Sequence, residues 1–332
     1  MASLPTSSGW AGMFAGSSHG AIFCMGGTNF PDSPPWEGGR KKWYGDIYMF
    51  KNDNAWIKLN AKMPVPLAYG VSISYKDRII TVGGCNEDGL SAEVTGYYWD
   101  GRNIQVSRYP SLPRPMAYMT GALVNSLIVI AGGSFSLTGD AIKKCFVLDI
   151  ENTQNGWIEI GAWPGTERMF SQCASYNGNF FLFGGETTEL NSKGIASRRI
   201  LQDAYKLSIS RSGIGYDALW KKLSPMPIGL CSGPGPLPVM ENGEMIFWGG
   251  VDALAAMHTN PLVYPGNNDN IIMYSSDLDK WTYVQKKDDI PARADLPAVY
   301  WRKQWVFISG EIKPGVRTNT VFAMRENIQH SN

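Results

Sequence analysis

Histidine is scarce in this chain: His19, His258 and His330 stand far apart, too few and too scattered to build a metal site from imidazole and phenolate ligands. No charge excess is present either. Lys and Arg number 30 against 29 Asp and Glu, which gives no field that would collect nucleic acid or an anionic membrane. No apolar run approaches bilayer-spanning length. The first basic residue is Arg40, so the positively charged start of a signal peptide is missing. A cytoplasmic protein is expected if Met1 is the native start, and a periplasmic one if a leader was removed ahead of it. Cys24, Cys85, Cys145, Cys173 and Cys231 are odd in number and lack CxxC spacing, which reads as buried free thiols. No metal and no redox cofactor is expected.

What the chain has is glycine, proline and aromatic residues: 37 Gly, 20 Pro and 40 Trp, Tyr and Phe among 332 residues. That is a turn-rich β composition. Six apolar strands recur, each running into a glycine pair or a close variant. They end at Gly26-Gly27, Gly83-Gly84, Gly132-Gly133, Gly184-Gly185, Gly249-Gly250 and Ser309-Gly310. Successive intervals are 57, 49, 52, 65 and 60 residues, and the interval through the two termini is 49. A remainder that completes a repeat suits a closed ring better than a linear stack. Residues 10–27 are therefore expected to share a sheet with residues 303–325.

Each repeat has the same parts. A strand of small and apolar residues (AYGVSISY, FSQCASY) leads through a short turn into the glycine-paired strand, read as the inner strand. A variable loop precedes a third strand (DIYMF, CFVLD, DAYKL, IIMYS), and a fourth opens on Trp56, Trp157, Trp220 or Trp281. The repeat with GRNIQV lacks that Trp. Four hairpin-joined strands form a propeller blade, with glycines for close approach and indoles as plates between blades. The pattern resembles the kelch repeat. The expected fold is all-β: one domain over residues 1–332, a six-bladed kelch-type β-propeller whose sixth blade is closed by the N- and C-terminal segments.

Propeller function concentrates where loops gather at the channel mouths. In the sixth repeat Glu311 follows the glycine pair, and Arg317 stands six residues on, beyond a Pro314-Gly315 turn. This brings a carboxylate able to transfer protons near a guanidinium able to grip a substrate carboxylate. A purely structural ion pair is the competing reading. Arg114, Arg168 and Arg293 follow prolines that lead into a blade and are candidates for lining a mouth, or for bonding loop carbonyls. Glu186 occupies the position of Glu311 in the fourth repeat. Asn29 and Glu37 lie in the long loop TNFPDSPPWEGGRKKWYGD, placed to cover a face. His258, in another long insertion, reads as a solvated loop residue.

The stretch SGEIKPGVRT resembles the active-site segment of the bacterial N-acetylneuraminate epimerases, the sialic acid mutarotases. Residues 14–50 and 63–84 are similar to that family's final two blades. Here those blades open the chain and the KPG-x-R motif closes it, the order of the cyclically permuted mutarotase branch. The resemblance implies an isomerase that interconverts the α- and β-anomers of N-acetylneuraminate or a close derivative. Glu311 would be its acid/base and Arg317 its substrate-carboxylate anchor. The partners implied are a small sugar acid and at most a second copy of the chain. Two other functions compete. A non-catalytic kelch interaction module is compatible with the fold. A sialidase would repeat an Asp-box, whereas SSDLDKW (275–281) lacks its glycine and is one residue short.

Overall fold

The computed structural model describes residues 1–51, 55–190, 194, 196–258, 260–284 and 292–325. Six antiparallel sheets follow one another along the chain. Blades 1 to 4 have four strands each, spanning residues 14–62, 71–108, 120–160 and 172–222. Among the described residues, blades 5 (244–284) and 6 (298–325) have three. They surround a common axis as a six-bladed β-propeller. Among the described residues no helix is long and apolar enough to cross a membrane.

The innermost strands are Phe14–Ser18, Val71–Tyr75, Thr120–Val124, Gln172–Tyr176 and Ala298–Trp301, with Val239 bridging to Met245 in blade 5. This corrects the reading that placed the glycine-paired strand innermost. Ala15, Ser72, Ser74, Ala122, Ser175 and Ala298 line a cavity between these strands, where small side chains let the strands approach one another. The glycine-paired strands come second and are almost wholly buried, as in Ala21–Met25 and Asn179–Phe183.

The glycine pair joins blades. In every repeat the second glycine donates its N–H to a carbonyl of the next blade's lead-in segment. Gly27 bonds Leu67, Gly84 bonds Met116, Gly133 bonds Arg168, Gly185 bonds Leu230 and Gly250 bonds Arg293. Gly310 completes the set by bonding Trp10 at 3.0 Å. Gly84 shows why a side chain is excluded: its φ is +106°, and a Cβ would lie 2.6 Å from the Ala68 carbonyl.

Indoles staple the outer edges. Trp157 donates to the Pro110 carbonyl, Trp220 to Gly161, Trp281 to Ser224 and Trp56 to Ala2, at 2.6 to 3.0 Å. Each bond crosses to the linker on the preceding side. The Trp body fills the inter-blade seam while the N–H stays satisfied.

Ring closure differs in one respect from expectation. Residues 14–25 do not share a sheet with 303–325; they pair with Asp46–Phe50 in their own blade. Closure is made instead by the segment ahead of them. Leu4 N–H bonds Asn319, the Asn319 amide donates back to the Leu4 and Thr6 carbonyls, and Ser309 Oγ bonds both Trp10 and Thr318. Leu4 and Trp10 then pack with Trp301, Val306 and Ile308 in one apolar seam between blades 6 and 1. The hairpin turn at His19-Gly20 makes local pairing cheaper than a sheet spanning the termini.

Candidate active site

One channel mouth is framed by a ring of backbone hydrogen bonds that passes once through every blade. Gly12 N–H bonds Asp295, Asp295 bonds Ser232, Ser232 bonds Phe170, Phe170 bonds Tyr118, Tyr118 bonds Tyr69 and Tyr69 bonds Gly12, all at 2.7 to 2.9 Å. All six residues have φ between +53° and +65°. For the five that are not glycine, this backbone is uncommon and persists only where surrounding bonds impose it. The ring turns these side chains toward the mouth, where Tyr69, Tyr118, Phe170 and Asp295 line a cavity of about 740 Å³. Beneath it a shaft of about 100 Å³ continues between the inner strands. The upper volume falls in the roughly 300–1,000 Å³ range of small-molecule sites.

The residue after each glycine pair bridges back to the lead-in segment of its own blade: Thr28 to Ala11, Cys85 to Ala68, Ser134 to Ala117, Glu186 to Met169, Val251 to Cys231 and Glu311 to Ala294. Glu311 and Glu186 thus hold equivalent positions at the mouth. From Glu311 the chain forms a short hairpin, Glu311–Lys313 with Val316–Arg317. Gly315 makes the turn at φ +81°, where a Cβ would strike Pro35 at 2.6 Å. The ladder sets Arg317 directly opposite Glu311, with NH2 to Oε2 at 2.7 Å. The Arg317 side chain is 4% exposed and its guanidinium lies 4.9 Å from the Phe30 ring centre. Among the described residues its Nε and NH1 have no hydrogen-bond partner. Arg317 lines the mouth cavity, and buried donors left without a partner suit an incoming acceptor.

The charges around Glu311 compete. Burial raises its carboxyl to about 7, Arg317 and Lys41 oppose the rise, and Asp295 adds to it. Burial likewise raises Asp295, opposed by Ser232, Arg317 and Lys41. Burial lowers Lys41, and Arg317 lowers it further. The Tyr69 hydroxyl is held well up by burial, so it is a donor rather than an anion. Lys41 arrives from the long loop of blade 1, whose Thr28–Asn29 and Lys42–Trp43 strands pair. Phe30, Pro35 and Trp36 of that loop also line the cavity. Across the mouth, Arg198 donates through Nε to Glu186 Oε2 at 3.0 Å, and Cys231 Sγ lies 3.3 Å from the same oxygen. Among the described residues no cluster of His, Cys, Asp and Glu has the makings of a metal site.

Glu311, Arg317 and Glu186 therefore share one cavity. The other sequence candidates lie elsewhere. Arg168 is wholly buried and bonds Asp203 Oδ2 at 2.7 Å and the Gly184 and Thr166 carbonyls, tying the blade 4 lead-in to its own blade. Arg293 bonds the Ser309 and Thr320 carbonyls in the same manner. Arg114 is exposed and stacks 4.2 Å above Phe135. The Asn29 amide donates to Ser8 and Gly9 and accepts from Tyr44, which braces the loop from inside. Glu37 is exposed on the turn Pro35–Glu37, whose other two residues line the cavity. His258 is half-buried at most and bonds its own loop at Leu254. Sequence reasoning missed Asp295, Lys41, Tyr69, Tyr118 and Arg198. Aligning the lead-ins LAYG, MAYM and RADL would have put Asp295 in register with the two tyrosines.

About 110 residues of this chain are similar to N-acetylneuraminate epimerases. The match is 40% identical to the epimerase of Yersinia enterocolitica, 34% to that of Yersinia pestis and, over 108 residues, 40% to that of Salmonella enteritidis. Each covers 30% of this chain and 27 to 28% of the relative, so the likeness spans under a third of their length. No family model matches the chain. The solved structure of YjhT superposes with a TM-score of 0.68 over 99% of this chain and 98% of that one. At 14% identity, that is a likeness of fold.

Proposed function

We propose that this protein is a mutarotase that interconverts the α- and β-anomers of N-acetylneuraminate, or of a close derivative, by acid/base ring opening and closure. The observation that carries the proposal is the Glu311–Arg317 ladder pair lining the mouth cavity, with two Arg317 donors unpartnered among the described residues. A sialic acid presents a carboxylate on the anomeric carbon itself. A guanidinium that holds this carboxylate sets the anomeric centre beside the neighbouring Glu311. Ring opening needs a base for the anomeric hydroxyl proton and an acid for the ring oxygen. A carboxyl that titrates near neutrality can serve either role at cellular pH. Similarity to proteins named N-acetylneuraminate epimerase supports the substrate class.

The test is the anomeric signal of freshly released α-sialic acid, followed by nuclear magnetic resonance with and without protein at neutral pH. Faster decay toward the α/β equilibrium than in buffer is expected. Decay at the buffer rate would refute the proposal.

A further inference from the structure

We infer that Asp295 is a second proton-carrying residue of this site, paired with Glu311 so that the two carboxyls share one proton. The inference rests on the mutarotase reading for its chemistry and on the mouth geometry for its residues. Of the six ring positions, which carry Gly12, Tyr69, Tyr118, Phe170, Ser232 and Asp295, only the last bears an acid. It lies beside Glu311 by construction: Ala294 and Glu311 exchange backbone hydrogen bonds at 2.9 and 2.8 Å, and Asp295 is the next residue. Both acids line the one cavity.

The two acids are not equivalent. Glu311 Oε2 is committed to Arg317 at 2.7 Å, and the Gly315 N–H also bonds this carboxyl; both favour the ionised form. Among the described residues Asp295 has no ion-pair partner, and its neighbours Glu311 and Glu186 are acids. The opposing charges are Arg317 on the hairpin, Lys41 on the blade 1 loop and, farther off, Arg198 beside Glu186; Tyr69 and Ser232 contribute neutral hydroxyls. Two carboxylates this close do not both ionise readily.

The step then balances. Glu311 carboxylate takes the anomeric hydroxyl proton, and that O–H electron pair becomes the second bond of the new carbonyl. The bond from the anomeric carbon to the ring oxygen breaks with its pair on oxygen, which receives the Asp295 proton. The open-chain keto acid turns about the adjacent carbon–carbon bond and presents its other face. Reclosure reverses the transfers: Asp295 carboxylate takes the hydroxyl proton as that oxygen attacks, and Glu311 returns its proton to the carbonyl oxygen. One proton resides on the pair before and after.

Asp295→Asn suits the test, because Asn tolerates the positive φ of this position. Asp295→Ser, matching the residue at ring position 232, is a second variant. Anomer exchange above background is expected to fall by about 100-fold or more in both, with the affinity for the sugar acid changed less than about threefold. Exchange at the wild-type rate in Asp295→Asn, with Glu311→Gln inactive, would overturn the inference and leave the mutarotase reading standing. So would a loss of binding that accounts for the whole loss of exchange. A second measurement is independent of the reaction: ¹³C titration of the labelled Asp and Glu carboxyls without sugar. Glu311→Gln should move the Asp295 midpoint down, because the neighbouring charge that keeps the proton on Asp295 is removed. An unmoved midpoint overturns the shared proton even if wild type shows no exchange at all, an outcome that would separately end the mutarotase reading.

Discussion

Glu311 and Arg317 face each other in register across a two-stranded ladder, and the salt bridge between them is shielded, with side chains 17% and 4% exposed. The pair is bent around Pro314-Gly315, and the turn is clamped beneath Pro35 of another blade's loop. Such packing limits reorganisation when a substrate binds, which is the condition for electrostatic help at an anomeric centre.

Glu311→Gln keeps the size of the side chain and removes its basicity. Exchange above background should fall at least about 100-fold, the lower end for loss of an acid/base group. Arg317→Lys should act mainly on KM, raising it about tenfold or more, since one ammonium replaces a planar set of charged donors. Saturation curves from exchange spectroscopy separate the two. A Glu311→Gln variant with wild-type turnover would remove Glu311 from the mechanism.

The pH dependence follows from the raised carboxyl. Glu311 acts as a base only when ionised and Asp295 as an acid only when protonated, so turnover should climb as pH rises through about 7 and fall again where the last shared proton is lost. Stability should run the other way. The folded state holds this proton more tightly than the unfolded chain, so the stabilisation is complete below the ordinary carboxyl range and is lost as pH rises through about 7. Asp295 contributes with the same sign. Urea midpoints measured at pH 5 and pH 8 should fall between the two in wild type, and fall less in Glu311→Gln. Equal falls in the two proteins would contradict this assignment.

Ser309 stands where the other five repeats have glycine, at φ +60°, with no exposure. Its hydroxyl bonds the Trp10 backbone and the Thr318 carbonyl, at 2.7 to 2.8 Å. Ser309→Ala should cost about 1–3 kcal/mol, because it strands buried polar groups at the ring seam. Equilibrium denaturation gives the number. No loss of stability would mean that the seam is held by Leu4 and Asn319 instead.

Arg168→Met tests whether that arginine serves structure or substrate. Destabilisation on the order of 3 kcal/mol is expected, the lower end for breaking a buried pair, since Asp203 keeps 23% exposure and its bond from Tyr205. Turnover and KM of the folded fraction should match wild type. A raised KM without loss of stability would restore Arg168 to the substrate site.

The sequence by itself determined the number of blades, because the second glycine of each repeat hands its N–H to the next blade's backbone, as at Gly84 and Gly310. It also determined the Glu311–Arg317 partnership. The two residues stand six apart about Pro314-Gly315, so their nearness is local and legible, although a bulge between Glu311 and Lys313 is what sets Arg317 opposite Glu311. The inner strand was misread because apolar runs advertise burial, whereas the axis selects small side chains such as Ser72 and Ala122. Only the tertiary structure decided what else surrounds Glu311. Lys41, Tyr69, Glu186 and Asp295 come from four blades: the closed ring of left-handed residues turns Tyr69 and Asp295 to the mouth, the blade 1 loop brings Lys41, and the segment after the fourth glycine pair brings Glu186. The same holds for Arg168 and Arg293, whose side chains turn inward to carbonyls of their own blades rather than toward a mouth. Short-range register is written in neighbouring residues, while the occupants of a shared cavity are set by closure of the whole ring.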